Sequence, residues 1–333
     1  MEKRVTIVDV AKNAQVSTAS VSRYLKDPTS VRPILAVRIK ESIDELHYEP
    51  NINARNLRSK KTNIIGVIIP HFEYFFDDIC TVINDYFFTR NYITYICQTN
   101  NDGLKEKKYV QQLLAQNVDG LILAPSGQNT MFFRNLAKSY TNVVAIDREE
   151  NIGWDIVLEN HKKNAFDLVS WEIKNYTFDY VLLLFGFKGS FSTQKCVEGS
   201  EAAIDTCEVN HNQIKYCFTN RNPQIIQEEI QKVSEVIGKE GNALIIAFSS
   251  DILEYICLEI NRNYRDILER VHISGFAQKD IAKKIGDQYS YVIKRPKLLG
   301  VTASELLLKK IEKRDNSQDS VYFIETEKKF VKG

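Results

Sequence analysis

The 333-residue sequence is poor in the short motifs by which chemistry is usually recognised. Its five histidines (His47, His71, His161, His211 and His272) share no metal-ligand spacing, and its six cysteines (Cys80, Cys97, Cys196, Cys207, Cys217 and Cys257) form no Cys-x-x-Cys pair. This removes zinc sites and dithiol redox chemistry from consideration. No serine or cysteine stands in a nucleophile elbow, and neither a P-loop nor a Gly-x-Gly-x-x-Gly turn occurs. No catalytic constellation, metal or cofactor is therefore expected. No apolar run approaches a membrane span, and the N-terminus lacks the apolar segment of a signal peptide. The cysteines accordingly read as reduced, mostly buried small hydrophobes in a cytoplasmic protein. Repeats and low-complexity tracts are absent. The terminal stretch KKFVKG has no apolar heptads to build a coiled-coil tetramer, which favours a dimer.

What is present is an uneven charge distribution. A net charge of +1 conceals 12 Lys/Arg against 7 Asp/Glu in residues 1–61, and 32 against 36 in the remaining 272. A basic head on a mildly acidic body fits phosphate contact confined to the head. The length exceeds what one core serves well, so a small domain plus larger ones is expected.

Within the head, Val5–Leu25 reads VTIVDVAKNAQVSTASVSRYL. Thr6 and Asp9 form a capping-box signature for a helix from Ile7 to about Ala14. Gln15-Val16 makes a tight turn, and Ser17 can cap a second helix over Thr18–Leu25. Ile7, Val10, Ala11, Val16, Val21 and Leu25 recur at helical spacing and would pack the pair together. Thr18, Ala19, Ser22 and Arg23 are left on the open face, the layout of a helix-turn-helix. A third helix is expected over Pro33–His47, with Ile34, Val37, Ile39, Ile43 and Leu46 inward. The stretch PNINARNLRS follows, polar except for Ile52, Ala54 and Leu57.

After Lys61 short apolar runs alternate with amphipathic stretches. Strands are expected at Ile64–Ile69, Tyr92–Cys97, Gly120–Leu123 and Val143–Ile146, then at Tyr180–Phe185, Ile214–Phe218, Ala243–Phe248 and His272–Phe276. Helices intervene, among them Phe76–Thr89, Lys105–Gln116, Pro223–Ile237 and Ile252–Arg262. Continuous apolar strands between helices mean parallel sheets covered on both faces, here two α/β lobes with a cleft between them.

The segments VTIVDVAKNAQVSTASVSRYL and HYEPNINARNLRSKKTNIIGVIIP resemble the N-terminus of the lactose-repressor (LacI) family of bacterial transcription regulators. The resemblance runs through the whole chain. It implies a helix-turn-helix head at 1–49, a hinge at 50–61 and a periplasmic-binding-protein-like core at 62–333. Lobe 1 would hold about 62–160 with part of 291–325, and lobe 2 about 161–290, the chain crossing between them more than once. It further implies a homodimer on a pseudo-palindromic double-stranded operator, with Thr18, Ala19 and Arg23 reading bases, Ser17, Ser20 and Ser22 touching phosphates, and Thr6 also among the DNA contacts. In the hinge, Leu57 would wedge between central base-pair steps in the minor groove, supported by Asn51, Asn53, Ala54, Arg55 and Arg58. An eight-residue helix is too short to be stable alone in water, so folding on DNA is the expectation.

By the same resemblance the effector cleft would involve Phe75, Phe76, Asp147, Arg148, Cys196, Ser250, Asp251, Phe276, Ala277 and Lys294. Three positions depart from the family pattern: Cys196 stands for an arginine, Ser250 for an asparagine and Ala277 for an aspartate. An ordinary hexopyranose is thereby disfavoured. Lys195, Lys294 and Arg295 instead suggest an anionic effector, a sugar acid or sugar phosphate. The expected function is a regulator, not an enzyme, most simply a repressor of a carbohydrate-use operon. A regulator answering to a phosphorylated carrier protein, and a cytosolic solute-binding protein, remain as alternatives.

Overall fold

The computed structural model describes residues 5–49, 61–148, 152–208, 210–220, 222–314 and 319–331. The hinge positions Asn51, Asn53, Ala54, Arg55, Leu57 and Arg58 lie outside the described residues. The chain divides into two compact units, Met1–Thr62 and Asn63–Gly333.

The first unit is built from α1 (Ile7–Asn13), α2 (Thr18–Lys26) and α3 (Pro33–Glu45). Asp9 accepts from the backbone N–H and the hydroxyl of Thr6 at 2.9 and 2.6 Å, which fixes the start of α1. Gln15 takes the left-handed conformation at φ 55° to make the turn into α2. Val10, Ala11, Ala14, Val21, Ile39 and Tyr48 form the buried core, with Ile7, Val16, Leu25, Ile43 and Leu46 packed around it. The expectation for α3 needs correction in two respects. The helix ends at Glu45, and His47 turns the chain away at φ 44°. Ile34 and Val37 face outward, 74% and 55% exposed. The inward stripe is Ile39, Ser42, Ile43 and Leu46, with the Ser42 hydroxyl donating to the Val10 carbonyl at 3.2 Å. At roughly 100° per residue, Ile34 and Val37 fall on the opposite side from Ile39.

The second unit alternates strands and helices: β1 (Ile64–Ile69), α4 (Tyr74–Phe88), β2 (Ile93–Gln98), α5 (Gly103–Ala115), β3 (Gly120–Leu123), α6 (Thr130–Ala137), β4 (Val143–Ile146) and β5 (Asp155–Glu159). It continues with α7 (His161–Asn175), β6 (Tyr180–Phe185), α8 (Phe191–Thr206), β7 (Ile214–Phe218), α9 (Pro223–Ile237), β8 (Ala243–Ala247), α10 (Ser250–Asn263) and β9 (Val271–Gln278). Then come α11 (Lys279–Ile285), β10 (Ser290–Lys294), α12 (Pro296–Ile311), β11 (Val321–Ile324) and β12 (Glu327–Lys329).

Among the described residues these strands form two six-stranded sheets, ordered β11-β5-β4-β3-β1-β2 and β12-β10-β9-β8-β6-β7. The first is parallel throughout. The second is parallel except for β12, which runs antiparallel to β10 and so departs from an all-parallel lobe. The central strands are apolar and buried on both faces, as parallel sheets require. The edge strands differ: β2 has Ile93, Tyr95 and Ile96 exposed, and β11 has Val321 and Phe323 exposed.

The chain passes between the sheets three times: after β5, after β10 and between β11 and β12. Ser290–Lys294 pairs with β9, so the return to the first sheet falls after Lys294, a few residues later than 291. α12 then packs Leu299, Ala303, Leu306, Leu307 and Ile311 into the first lobe. Lys310 there meets the fully buried Asp155 at 2.8 Å, and Asp155 also accepts from the Ser320 backbone N–H.

The helices α7 and α8 pack side by side on the second sheet, and Gly199 sets their spacing. A Cβ there would stand 2.2 Å from the Lys162 carbonyl oxygen and 3.0 Å from the Ala165 methyl. Gly199→Ala is therefore expected to lower core stability by about 1–3 kcal/mol, the ordinary cost of overpacking. The effect is read as a lower urea midpoint; an unchanged midpoint would show that the two helices do not approach this closely.

Candidate functional site

Two surfaces stand out, one in each unit. In the head, Ser17 caps α2 by accepting from the Ser20 backbone N–H at 3.1 Å, and its hydroxyl lies 2.9 Å from that of Ser20. With Val21 turned into the core, Thr18, Ala19, Ser22 and Arg23 are exposed together and Ser20 is half-buried. α3 holds α2's partner helix from behind: Asn13 donates to Glu45 at 3.1 Å, and Arg38 donates to the Gln15 side chain at 3.1 Å. The exposed face of α2 is thus presented by a small rigid frame. Thr6 is engaged in its own helix cap and is exposed.

The second surface is a cavity of about 410 Å³ between the two sheets of the core. Its position follows from strand order. β1 lies between β3 and β2, and β6 between β8 and β7. The order of connection therefore reverses at these strands, and open α/β sheets bind ligands outside the carboxyl ends of such strands. Pro70 and His71 follow β1, Asp147 and Arg148 follow β4, Gly186 and Phe187 follow β6, and Phe248 to Asp251 follow β8. Gln278 and Lys294 come from the ends of β9 and β10.

The two walls already touch through their own side chains. His71 stacks on Phe187, ring centres 5.4 Å apart. Gln278 donates its amide to the Tyr74 carbonyl at 2.8 Å and to Asp78 at 3.2 Å. Lys294 Nζ lies 3.9 Å over the Phe75 ring and 3.8 Å from Glu159. His161 Nε2 approaches Asp147 Oδ1 at 3.4 Å.

Asp147 is buried and held at φ 64°, a strained setting for a residue with a side chain. Burial would raise its carboxyl pKa. The His161 contact, with Lys294 and Arg148 nearby, outweighs that and holds the pKa below the ordinary carboxylate value. Arg148, equally buried, donates to the Pro125 carbonyl at 2.6 Å and to Asn101 Oδ1 at 2.5 Å. The Cys196 thiol, also buried in the wall, is pushed up to about 12 by desolvation. Among the described residues no cluster of His, Cys, Asp or Glu could hold a metal ion, and no helix is long and apolar enough to cross a membrane.

Comparison with known proteins decides what these surfaces belong to. Residues 6–51 match the bacterial regulatory proteins of the lacI family, and residues 62–230 match the periplasmic binding proteins and sugar binding domain of the LacI family. The chain belongs to the LacI family. It is similar to a protein named "Probable HTH-type transcriptional regulator EndR" from Paenibacillus polymyxa, 28% identical over 323 residues that cover 95% of this chain and 93% of the relative. The ribose operon repressor of Halalkalibacterium halodurans is 27% identical over 312 residues, 93% and 91% of the two chains. In fold it matches the lac repressor dimer bound to operator and the anti-inducer ONPF, with a TM-score of 0.80 at 17% identity over 98% and 99% of the chains. The protein is a DNA-binding transcription regulator of this family, whose members act as regulators and not as enzymes.

Against this LacI frame the expected cleft residues divide. Phe75, Phe76, Asp147, Arg148, Cys196, Ser250, Asp251 and Lys294 all line the cavity. Phe276 and Ala277 do not: they are buried in hydrophobic clusters on the two faces of the second sheet. Strand alternation sends them there, and Gln278 takes the place facing the cavity, its backbone N–H donating to the Ser250 hydroxyl at 3.0 Å. Nor do Lys195 and Arg295 reach the cavity; Lys195 bonds Glu198 at 2.9 Å, and Arg295 lies 3.9 Å from Glu327. His71, Asn101, His161, Phe187 and Gln278 line it without having been singled out from the sequence. All five flank strand ends, the one signal that could have found them.

Because its folded pKa is lowered, Asp147 contributes stability that is present above the unfolded carboxylate value of about 3.9 and is lost as pH falls through the folded value below it. Asp147→Asn should therefore flatten the fall of core stability below about pH 4. Urea unfolding at stepped pH measures this, and identical slopes in both proteins would remove Asp147 from the account.

Proposed function

We propose that the protein acts in the cytoplasm as a homodimeric repressor of a carbohydrate-use operon, and that a small hydroxyl-bearing effector in the core cleft sets its operator affinity. The observation that carries this reading is the cavity at the carboxyl ends of both sheets, in a chain whose head presents Thr18, Ala19, Ser22 and Arg23 outward. The relative named a ribose operon repressor supports the carbohydrate assignment.

Arg23 offers a guanidinium fork matched to guanine O6 and N7, and the Thr18 and Ala19 methyls suit a thymine methyl. Ser17, Ser20 and Ser22 supply hydroxyls for phosphates, which position the helix without reading sequence. Residues 50–61 are assigned as the hinge, Leu57 as the wedge in the minor groove, and Asn51, Asn53, Ala54, Arg55 and Arg58 as its supports. Two heads related by a two-fold axis call for a pseudo-palindromic operator. Effector binding in the cleft favours one arrangement of the lobes, and coupling of about 1–3 kcal/mol changes operator affinity roughly 5–150-fold.

The test is selection of the operator from random DNA, followed by fluorescence anisotropy on the selected site. Arg23→Ala should weaken binding by about 1–3 kcal/mol and relax specificity at one base pair per half-site. Leu57→Ala should weaken operator binding strongly while the core melts as before; unchanged affinity would remove the wedge. A sugar that releases or tightens the operator complex supports the effector role. Silence across a sugar panel, with operator binding altered by a phosphorylated carrier protein instead, would overturn it.

A further inference from the structure

The chemistry of the cleft wall restricts what can enter it. Four carboxylates line the cavity, Glu73, Asp77, Asp147 and Asp251, against two cations, Arg148 and Lys294. Both cations are already engaged by the protein. Arg148 holds the Pro125 carbonyl and Asn101, and Lys294 lies between the Phe75 ring and the buried Glu159. The side-chain amide donor of Gln278 is likewise engaged, by Tyr74 and Asp78. One of the four carboxylates is met from within the wall, since the buried His161 places its Nε2 3.4 Å from Asp147 Oδ1. The aromatic rings of Phe75, Phe187 and Phe248 form the apolar part of the wall.

A phosphate or carboxylate only accepts hydrogen bonds, and here it would find the Ser190, Ser192, Thr193 and Ser249 hydroxyls as donors but more carboxylates than cations around it. Hydroxyl and ammonium groups donate, and an ammonium is in addition attracted by the carboxylates and by ring faces. We infer that the cleft takes a non-anionic, donor-rich ligand of sugar size: an amino sugar in preference to its neutral parent, and either of these in preference to the phosphorylated or oxidised form. This replaces the anionic effector expected from Lys195, Lys294 and Arg295, two of which are directed elsewhere. It rests on the cleft being the effector site.

The experiment is calorimetric titration of the full-length protein at pH 7 with matched sets from the gluco, galacto and manno series: hexosamine, hexose, hexose 6-phosphate and uronic acid. In the series that binds, the hexosamine should bind at least about tenfold more tightly than the hexose, with the phosphate and acid weaker than both. Asp251→Asn should narrow the hexosamine-to-hexose ratio. Asp77→Asn serves as the second variant, and operator binding reports that each is folded. A phosphate or acid that binds most tightly overturns the inference. So does a ratio unchanged in both variants, or the absence of any binding in all three series. Binding in the expected order that leaves operator affinity untouched would overturn the regulatory reading and leave this inference standing. Operator release by a phosphorylated sugar would do the reverse.

Discussion

Glu159 is a fully buried carboxylate at the point where the chain first leaves the first sheet, and the core depends on how its charge is met. A buried anion is costly unless it is paired and hydrogen-bonded. Glu159 accepts the Arg295 backbone N–H at 2.7 Å and has the Lys294 ammonium 3.8 Å away. Both partners sit at the second crossing. The third crossing is fastened beside them, by the Thr326 hydroxyl to Asn164 at 2.8 Å and by Arg295 near Glu327. One carboxylate thus gathers the segments between the lobes into a joint, and the cleft is hung on it. Lys294 belongs to both, since the same ammonium that faces Glu159 also covers the Phe75 ring in the cavity wall.

The wall above this joint has been rebuilt around short contacts between protein groups. Gln278 reaches from the second lobe to the first turn of α4, and His71 reaches from the first lobe to Phe187. Where the family pattern has an arginine, Cys196 leaves a small apolar surface whose thiol stays protonated. The strong donors that remain are turned toward the protein. What the cavity offers a ligand is more carboxylates than cations, a set of serine and threonine hydroxyls and aromatic faces, a physical character different from the one suggested by counting nearby lysines in the sequence.

The parts of the fold that were legible are those where a single physical rule acts alone. Ile64–Ile69, Gly120–Leu123, Val143–Ile146 and Tyr180–Phe185 are strands at the residues expected, because a strand buried on both faces must be apolar along its length. The α1–α2 pair was legible from its caps and spacing. Ile34 and Val37 were misassigned because α3 has a partner on one side only, and apolar residues on a short helix do not say which side that is. The cleft was legible in its strand-end pairs, such as Asp147 and Arg148, and not in its charge. Whether Lys195 points into a cavity or to Glu198 one turn along its own helix is a matter of side-chain direction. Ala277 and Gln278 show the same limit, since a shift of one residue along β9 exchanges the two faces.

The order of the strands also has a meaning in time. The head is one continuous stretch, α1 to α3, and is synthesised before the core. Each core sheet, by contrast, receives an outer strand from beyond residue 320: β11 for the first and β12 for the second. Neither lobe can be completed while the chain is shorter than this. All helices of the head are thus synthesised before either sheet around the cleft can be closed.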